Sequence, residues 1–154
     1  MKRITVKKGE VLQQKGDLHT KVYTVKSGLL RSYSIDEQGK EHIYMFAPES
    51  WIIADGNEPE TPAELFIDAL EASELVVQEK DFSLEVDSSK LRKRLGVLQN
   101  RVIMLMSASA IERYHHFIST YPQIVQRVPQ KMIASYLGIT PEALSRVKKE
   151  SHRK

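Results

Sequence analysis

Two periodicities divide this chain. From residue 1 to about residue 80, short runs rich in Val, Ile, Leu and Tyr follow one another: ITV, EVLQQ, KVYTV, LLRSYSI, HIYMF, LFIDAL and ELVVQ. Turn signals set them off at Lys8-Gly9, Lys15-Gly16-Asp17, Ser27-Gly28 and Asp36-Glu37-Gln38-Gly39. Runs of this kind fit strands, and their close spacing predicts a sandwich or barrel. From about residue 88 to residue 120 the pattern turns helical. Leu91, Leu95, Leu98, Val102 and Leu105 recur at alternating steps of four and three, a heptad seam. Asp87, Ser88 and Ser89 offer capping side chains at its start. Ile103, Met104 and Met106 make the middle apolar nearly all round, so it needs cover on more than one side. A helix lying on its own β structure and on a twin helix meets that demand; a single core helix inside a monomer is the alternative.

Ser119-Thr120-Tyr121-Pro122 interrupts the helical pattern and reads as a hinge. QIVQRVPQ then leads into residues 129–149, PQKMIASYLGITPEALSRVKK. Met132, Ile133, Tyr136 and Leu137 recur at helical spacing, Gly138 breaks the helix, and Leu144 and Val147 resume the period after Thr140-Pro141. Ala134 is small where a second helix crosses, and Ile139 fills the corner. Thr140 can cap the second helix, and Pro141 suits its first position because an N–H there would have no partner. This is a helix-turn-helix pattern. With Leu144 and Val147 turned inward, Glu142, Ser145, Arg146, Lys148 and Lys149 face out, an outer surface suited to the major groove of DNA. The plainer alternative is a helical hairpin with a solvated charged face.

Charge favours the first of these. The net charge of +3 over 154 residues hides an asymmetry: residues 1–86 carry ten Lys/Arg against sixteen Asp/Glu, and residues 87–154 carry thirteen against four. The acidic part repels nucleic acid, whereas the basic part gains affinity by releasing counterions from phosphates. The hydrophobic content of 41% is enough for a core. No segment is long and apolar enough to cross a bilayer, and MKRITVKKGE lacks the apolar block of a signal peptide. Without cysteine there is no disulfide, thiolate metal site or iron–sulfur cluster in this chain. Cytoplasmic location is the expectation.

The run QKMIASYLGITPEALSR resembles the DNA-reading segment of bacterial CRP/FNR-type transcription regulators, particularly the branch in which IASYLGITPE followed by LSR recurs. Upstream, KKGEVLQQKGD and VYTVKSGLLRSYSIDEQGKEHIYMF are similar to the β-roll of the cyclic-nucleotide-binding domain, with Gly16 and Gly28 at turns and Tyr23 and Val25 inward. The resemblance implies an α+β fold: an antiparallel, jelly-roll-like β-roll over residues 1–86, a long dimerisation helix over 87–120, and a small helix-turn-helix, winged-helix-like domain over 121–154. Family members usually carry a helical segment ahead of the first strand. Here that element is either dispensable or missing from a shortened version.

The family's ligand chemistry lies between Trp51 and Phe66. Cyclic-nucleotide receptors place there a Glu for the ribose hydroxyl and an Arg for the cyclic phosphate. This chain has WIIADGNEPETPAELF, with Ala54 and Ala63 at those positions. From residue 41 to residue 79 there is no Lys or Arg, against ten acidic residues. A phosphate brought here would lose solvation and meet repulsion, so cAMP and cGMP are not expected to bind. Pro59 and Pro62 predict a surface loop without regular structure, either a remnant or a pocket for another ligand. Tyr44, Phe46, Trp51 and Phe66 either line such a pocket or belong to the core.

Residue by residue, the resemblance assigns Glu142 and Arg146 to base edges. A carboxylate accepts from the cytosine amino group, and a guanidinium grips guanine bidentately. Relatives with a defined site often carry Arg where this chain has Pro141, so their target sequence does not transfer. Thr140 and Ser145 suit phosphates or bases; Lys148 and Lys149 suit phosphates, as do Arg127, Gln130 and Lys131 near the entrance of the first helix. The tail SHRK adds non-specific attraction. His19, His42, His115, His116 and His152 lack the spacing of a zinc site, and no nucleophile has a convincing base partner. The expectation is a non-enzymatic regulator that binds double-stranded DNA as a homodimer through Leu91, Leu95, Leu98, Val102 and Leu105. It needs no cofactor or metal, does not enter membranes, and touches RNA polymerase if it activates. Its effector is undefined. A ligand-sensing module without DNA binding and a cupin-like metalloenzyme are the competing readings.

Overall fold

The computed structural model describes residues 1–81 and 88–151. The chain divides into two compact units, Met1–Ser83 and Leu84–Lys154.

The first unit is built from eight antiparallel strands: β1 (Lys2–Val6), β2 (Val11–Gln13), β3 (Lys21–Ser27), β4 (Leu30–Ile35), β5 (Glu41–Ala47), β6 (Ile52–Ile53), β7 (Phe66–Ala69) and β8 (Ser73–Glu79). They form two four-stranded sheets, in the orders β1-β8-β3-β6 and β2-β7-β4-β5. Alternation within each strand sends one set of side chains inward. Val6, Tyr23, Val25, Leu30, Met45, Ile53, Ile67 and Leu75 meet as the core, with Tyr44 and Trp51 partly buried against it. Tyr23 and Val25 thus point as expected. Gly28 links β3 to β4 at φ +94°, where an added Cβ would lie 2.2 Å from Ser73 Oγ, so the turn admits no side chain.

The other face of the second sheet is polar as well as aromatic. Arg31 and Asp68 stand opposite one another in the β4–β7 register. Arg31 Nε and Nη2 donate to the two Asp68 carboxylate oxygens at 2.8 and 2.9 Å, and Nη1 donates to Glu41. Burial alone would lower the Arg31 pKa, but these hydrogen bonds outweigh it and hold the guanidinium charged. Two residues along, Tyr33 stacks on Phe66 with centroids 5.3 Å apart, and Phe46 is fully buried. Phe46 therefore follows the core alternative, whereas Phe66 is half-buried.

The second unit is helical: α1 (Ser88–Ser107), α2 (Ala110–Thr120), a 3-10 turn at Ile124–Gln126, α3 (Gln130–Leu137) and α4 (Pro141–Ser151). The one helix expected to run to residue 120 is two. Ser109 forms a capping box with Glu112: the Ser109 hydroxyl accepts from the Glu112 N–H, and the Glu112 carboxylate accepts from the Ser109 N–H at 2.7 Å. That pairing starts a new helix and ends the old one. The proposed cap at Asp87 and the tail beyond Ser151 lie outside the described residues.

Candidate nucleic-acid interface

The helix-turn-helix rests on a small core. Tyr114 and Phe117 of α2, Ile124, Val128, Ile133, Ala134, Tyr136 and Leu137 of α3, and Leu144 and Val147 of α4 are all buried. Phe117, Tyr121 and Tyr136 form a three-ring cluster with centroid separations of 5.4–5.5 Å. At about 25 cal/mol per Å², such rings carry much of the stability of so small a unit.

The turn is made as the residue types require. Gly138 takes the left-handed conformation at φ +66°, ψ +32°. Its N–H reaches Ser135 O, and the Ile139 N–H reaches Ala134 O, both at 3.1 Å, which is the Schellman closure. Thr140 then starts α4, its hydroxyl accepting from the Ala143 N–H at 3.2 Å and its carbonyl from the Leu144 N–H at 3.0 Å. Its hydroxyl oxygen thus caps α4 and keeps its O–H to donate.

With Leu144 and Val147 fixed inward, Glu142, Ser145, Arg146 and Lys149 are exposed. Lys148 departs from the expectation of a fully outward residue. It is half-buried, and its Nζ donates to Gln130 Oε1 at the start of α3 at 3.1 Å. Lys131 is exposed, whereas Arg127 is half-buried beside the 3-10 turn. The Lys148–Gln130 bond therefore brings the start of α3 to the later turns of α4.

The α1 seam is split. Leu91, Leu95 and Val102 are exposed, as are Val97, Ile103 and Met106, the last at 80%. Leu98 and Leu105 are half-buried. Leu105 turns toward the helix-turn-helix: its Cδ2 is 3.7 Å from where a Gly138 Cβ would stand. Leu105, expected in the seam, thus also lies against the turn.

The loop between β6 and β7 holds no helix or strand over residues 54–65, as Pro59 and Pro62 predict. It follows the short strand β6, and Ala63 is buried, exchanging backbone hydrogen bonds with the turn at Gly16-Asp17. Lys80, just beyond the stretch without cations, points back into it. Its Nζ donates to Asp55, to Thr20 Oγ1 at 2.6 Å and to the Asn57 carbonyl at 2.9 Å. Burial pushes the Asp55 carboxyl up, but hydrogen bonds from Lys80, the Asn57 N–H and Thr20 hold it below the ordinary carboxylate value. Sequence reasoning missed Lys80, because nothing local marks a partner twenty-five residues away.

Among the described residues, no group of three His, Cys, Asp or Glu is arranged to hold a metal, and no helix is long and apolar enough to cross a membrane.

Comparison with known proteins fits this geometry. The family model described as Cyclic nucleotide-binding domain matches residues 3–86. The Fumarate and nitrate reduction regulatory protein of Escherichia coli is 30% identical over 170 residues, covering 92% of this chain and 65% of that protein. Electron transport regulator A of Shewanella oneidensis is 28% identical over 165 residues, with the same coverage. This chain thus spans about 65% of the length of these relatives. Among solved structures, FixK2 from Bradyrhizobium japonicum superposes with a TM-score of 0.76 at 20% identity, covering 99% of this chain and 84% of that one. A CRP/FNR-family transcriptional regulator from Thermus thermophilus gives 0.71 at 18% identity, covering 99% and 86%. The fold is shared with both.

Proposed function

The chain belongs to the cyclic nucleotide-binding domain family, and from that membership and the geometry of α4 we propose that it is a CRP/FNR-type transcription regulator that binds double-stranded DNA. The observation that carries this reading is the two-sided character of α4. One side is anchored by Leu144 and Val147, and the other presents Glu142, Ser145, Arg146 and Lys149 to solvent. In this reading Arg146 and Glu142 meet base edges, Thr140 and Ser145 meet phosphates or bases, and Lys149 meets phosphates. Lys131, Arg127 and the Lys148–Gln130 pair meet the backbone.

The same reading makes the protein a homodimer paired through α1. Leu91, Leu95 and Val102 stay exposed at one seam, with Leu98 half-buried between them, and a twin helix would cover them. A two-fold pair sets two α4 helices on a near-palindromic site. In this reading the protein works in the cytoplasm, where DNA is reached, and touches RNA polymerase if it activates; transcription in vitro from a bound promoter tests the latter.

Binding of cAMP or cGMP is not part of this function. Ala63 stands where the resemblance puts the phosphate-binding arginine. Lys80, the cation bonded into this loop, is already neutralised by Asp55, and Arg31 of β4 by Asp68 with Glu41. Isothermal titration with either nucleotide tests this, and micromolar binding would overturn it. The DNA reading is tested by fluorescence anisotropy of a labelled duplex titrated with the full chain over a salt series. The expected log affinity falls linearly with log salt, and affinity indifferent to salt refutes it.

A further inference from the structure

A helix leaves its last four carbonyls without intrahelical partners, and they carry the negative end of its macrodipole. In α3 these are the carbonyls of Ala134, Ser135, Tyr136 and Leu137. The first two accept from Ile139 and Gly138 of the turn. The other two accept from arginines on other helices. Arg101 of α1 donates from Nη2 to Tyr136 O at 3.4 Å, and Arg113 of α2 donates from Nη1 to Leu137 O at 3.1 Å. Two guanidiniums at a helix C-terminus satisfy both its hydrogen bonds and its partial charge.

Arg113 also holds the end of α1. Arg113 Nη2 donates to Leu105 O at 2.7 Å, and its Nε donates to Ala108 O at 3.1 Å. One side chain therefore closes α1 and α3 at once. Arg101 does more than donate. Its Cζ lies 3.9 Å from the Tyr136 ring centroid, so a cation rests on a ring that is packed with Phe117 and Tyr121. An added Cβ at Gly138 would stand 3.6 Å from Arg113 Nη1, so the guanidinium lies directly against the turn.

We infer that Arg101 and Arg113 are positioning residues for DNA binding: they tie the helix-turn-helix corner to α1, so that the orientation of α4 follows α1. This rests on α4 being the helix that meets DNA. A planar guanidinium makes the two contacts of Arg101, or the three of Arg113, together, which a lysine ammonium cannot. A rotation of α1 that breaks the Arg101 contact removes one of the four bonds that close α3 and loosens the turn, and a rotation that keeps it carries the turn along.

The test uses the full chain with Arg101→Met, Arg101→Lys and Arg113→Lys. Amide hydrogen exchange is followed at Gly138 and Ile139, and binding is measured to a duplex selected by the wild type and to a random duplex. Variants that keep the wild-type circular dichroism are expected to exchange at Gly138 and Ile139 at least tenfold faster. They should lose at least fivefold in the ratio of selected to random affinity, with Arg101→Lys between wild type and Arg101→Met. If Arg101→Met does not fold, the two lysine variants decide. Folded variants with unchanged exchange at the turn, or an unchanged affinity ratio, overturn the inference. A wild type that binds no duplex refutes the DNA reading itself, and exchange at the turn still decides whether the arginines hold it.

Discussion

Lys148 Nζ donates to Gln130 Oε1 across 3.1 Å, joining the last turns of α4 to the first turn of α3. Two residues that the sequence offers as separate phosphate contacts thus form one unit, with the amide aiming the ammonium. Lys148→Met is expected to remove about one from the salt slope of DNA binding and to cost about 0.5–1.5 kcal/mol of stability. Lys149→Met should lower the slope by about as much at little cost in stability. Salt-series anisotropy and urea unfolding of both variants check this; an unchanged slope for both would remove them from the interface.

Arg146→Ala should weaken binding to a selected duplex by roughly 1–3 kcal/mol and leave random DNA little affected. Mobility shifts on both duplexes measure the difference. An equal loss on random DNA would make Arg146 a backbone contact.

In the first unit, Gly28→Ala is expected to cost about 3 kcal/mol or more, because a positive φ and a clash act together. The new Cβ would meet Ser73 Oγ at 2.2 Å and Ala72 O at 2.7 Å. Gly9→Ala, at φ +82° with nothing within 4 Å, is strained but unobstructed and should cost about 1 kcal/mol. Urea unfolding curves of the two variants separate strain from collision; equal costs would contradict the assignment.

Folding lowers the pKa of the Asp55 carboxyl. Near the ordinary carboxylate value, the folded state therefore binds fewer protons than the unfolded chain. The stability this provides is complete above about pH 4 and disappears as the pH falls through the lowered value. Asp55→Asn should flatten that part of the acid unfolding curve. Lys80→Met, which strands a buried carboxylate, is expected to cost about 3–5 kcal/mol at neutral pH. Acid and urea titrations followed by the fluorescence of Trp51 read both variants.

Much of this was legible in the sequence because the responsible residues are local. Gly138, Thr140 and Pro141 each act on their own turn, and the short apolar runs pair as strands of one sheet or the other. β6 was missed because only Ile52 and Ile53 form it, and its strand character comes from pairing with Tyr23 and Thr24. The break between α1 and α2 did have a signal, Ser109 three residues before Glu112, but the apolar periodicity running through it hid the capping box. Lys80 with Asp55, Arg31 with Asp68, and Arg101 with Tyr136 are side-chain meetings set by tertiary packing. Their spacing carries no local pattern, so only the folded chain reveals them.

The most direct measurement is selection of duplexes from a random library by the full chain at low ionic strength, followed by sequencing. The expected outcome is a near-palindromic motif whose half-sites are centred about one helical turn apart, with the preference at one position of each half-site lost on Arg146→Ala. Recovery of no sequence above the input library would contradict DNA recognition by α4.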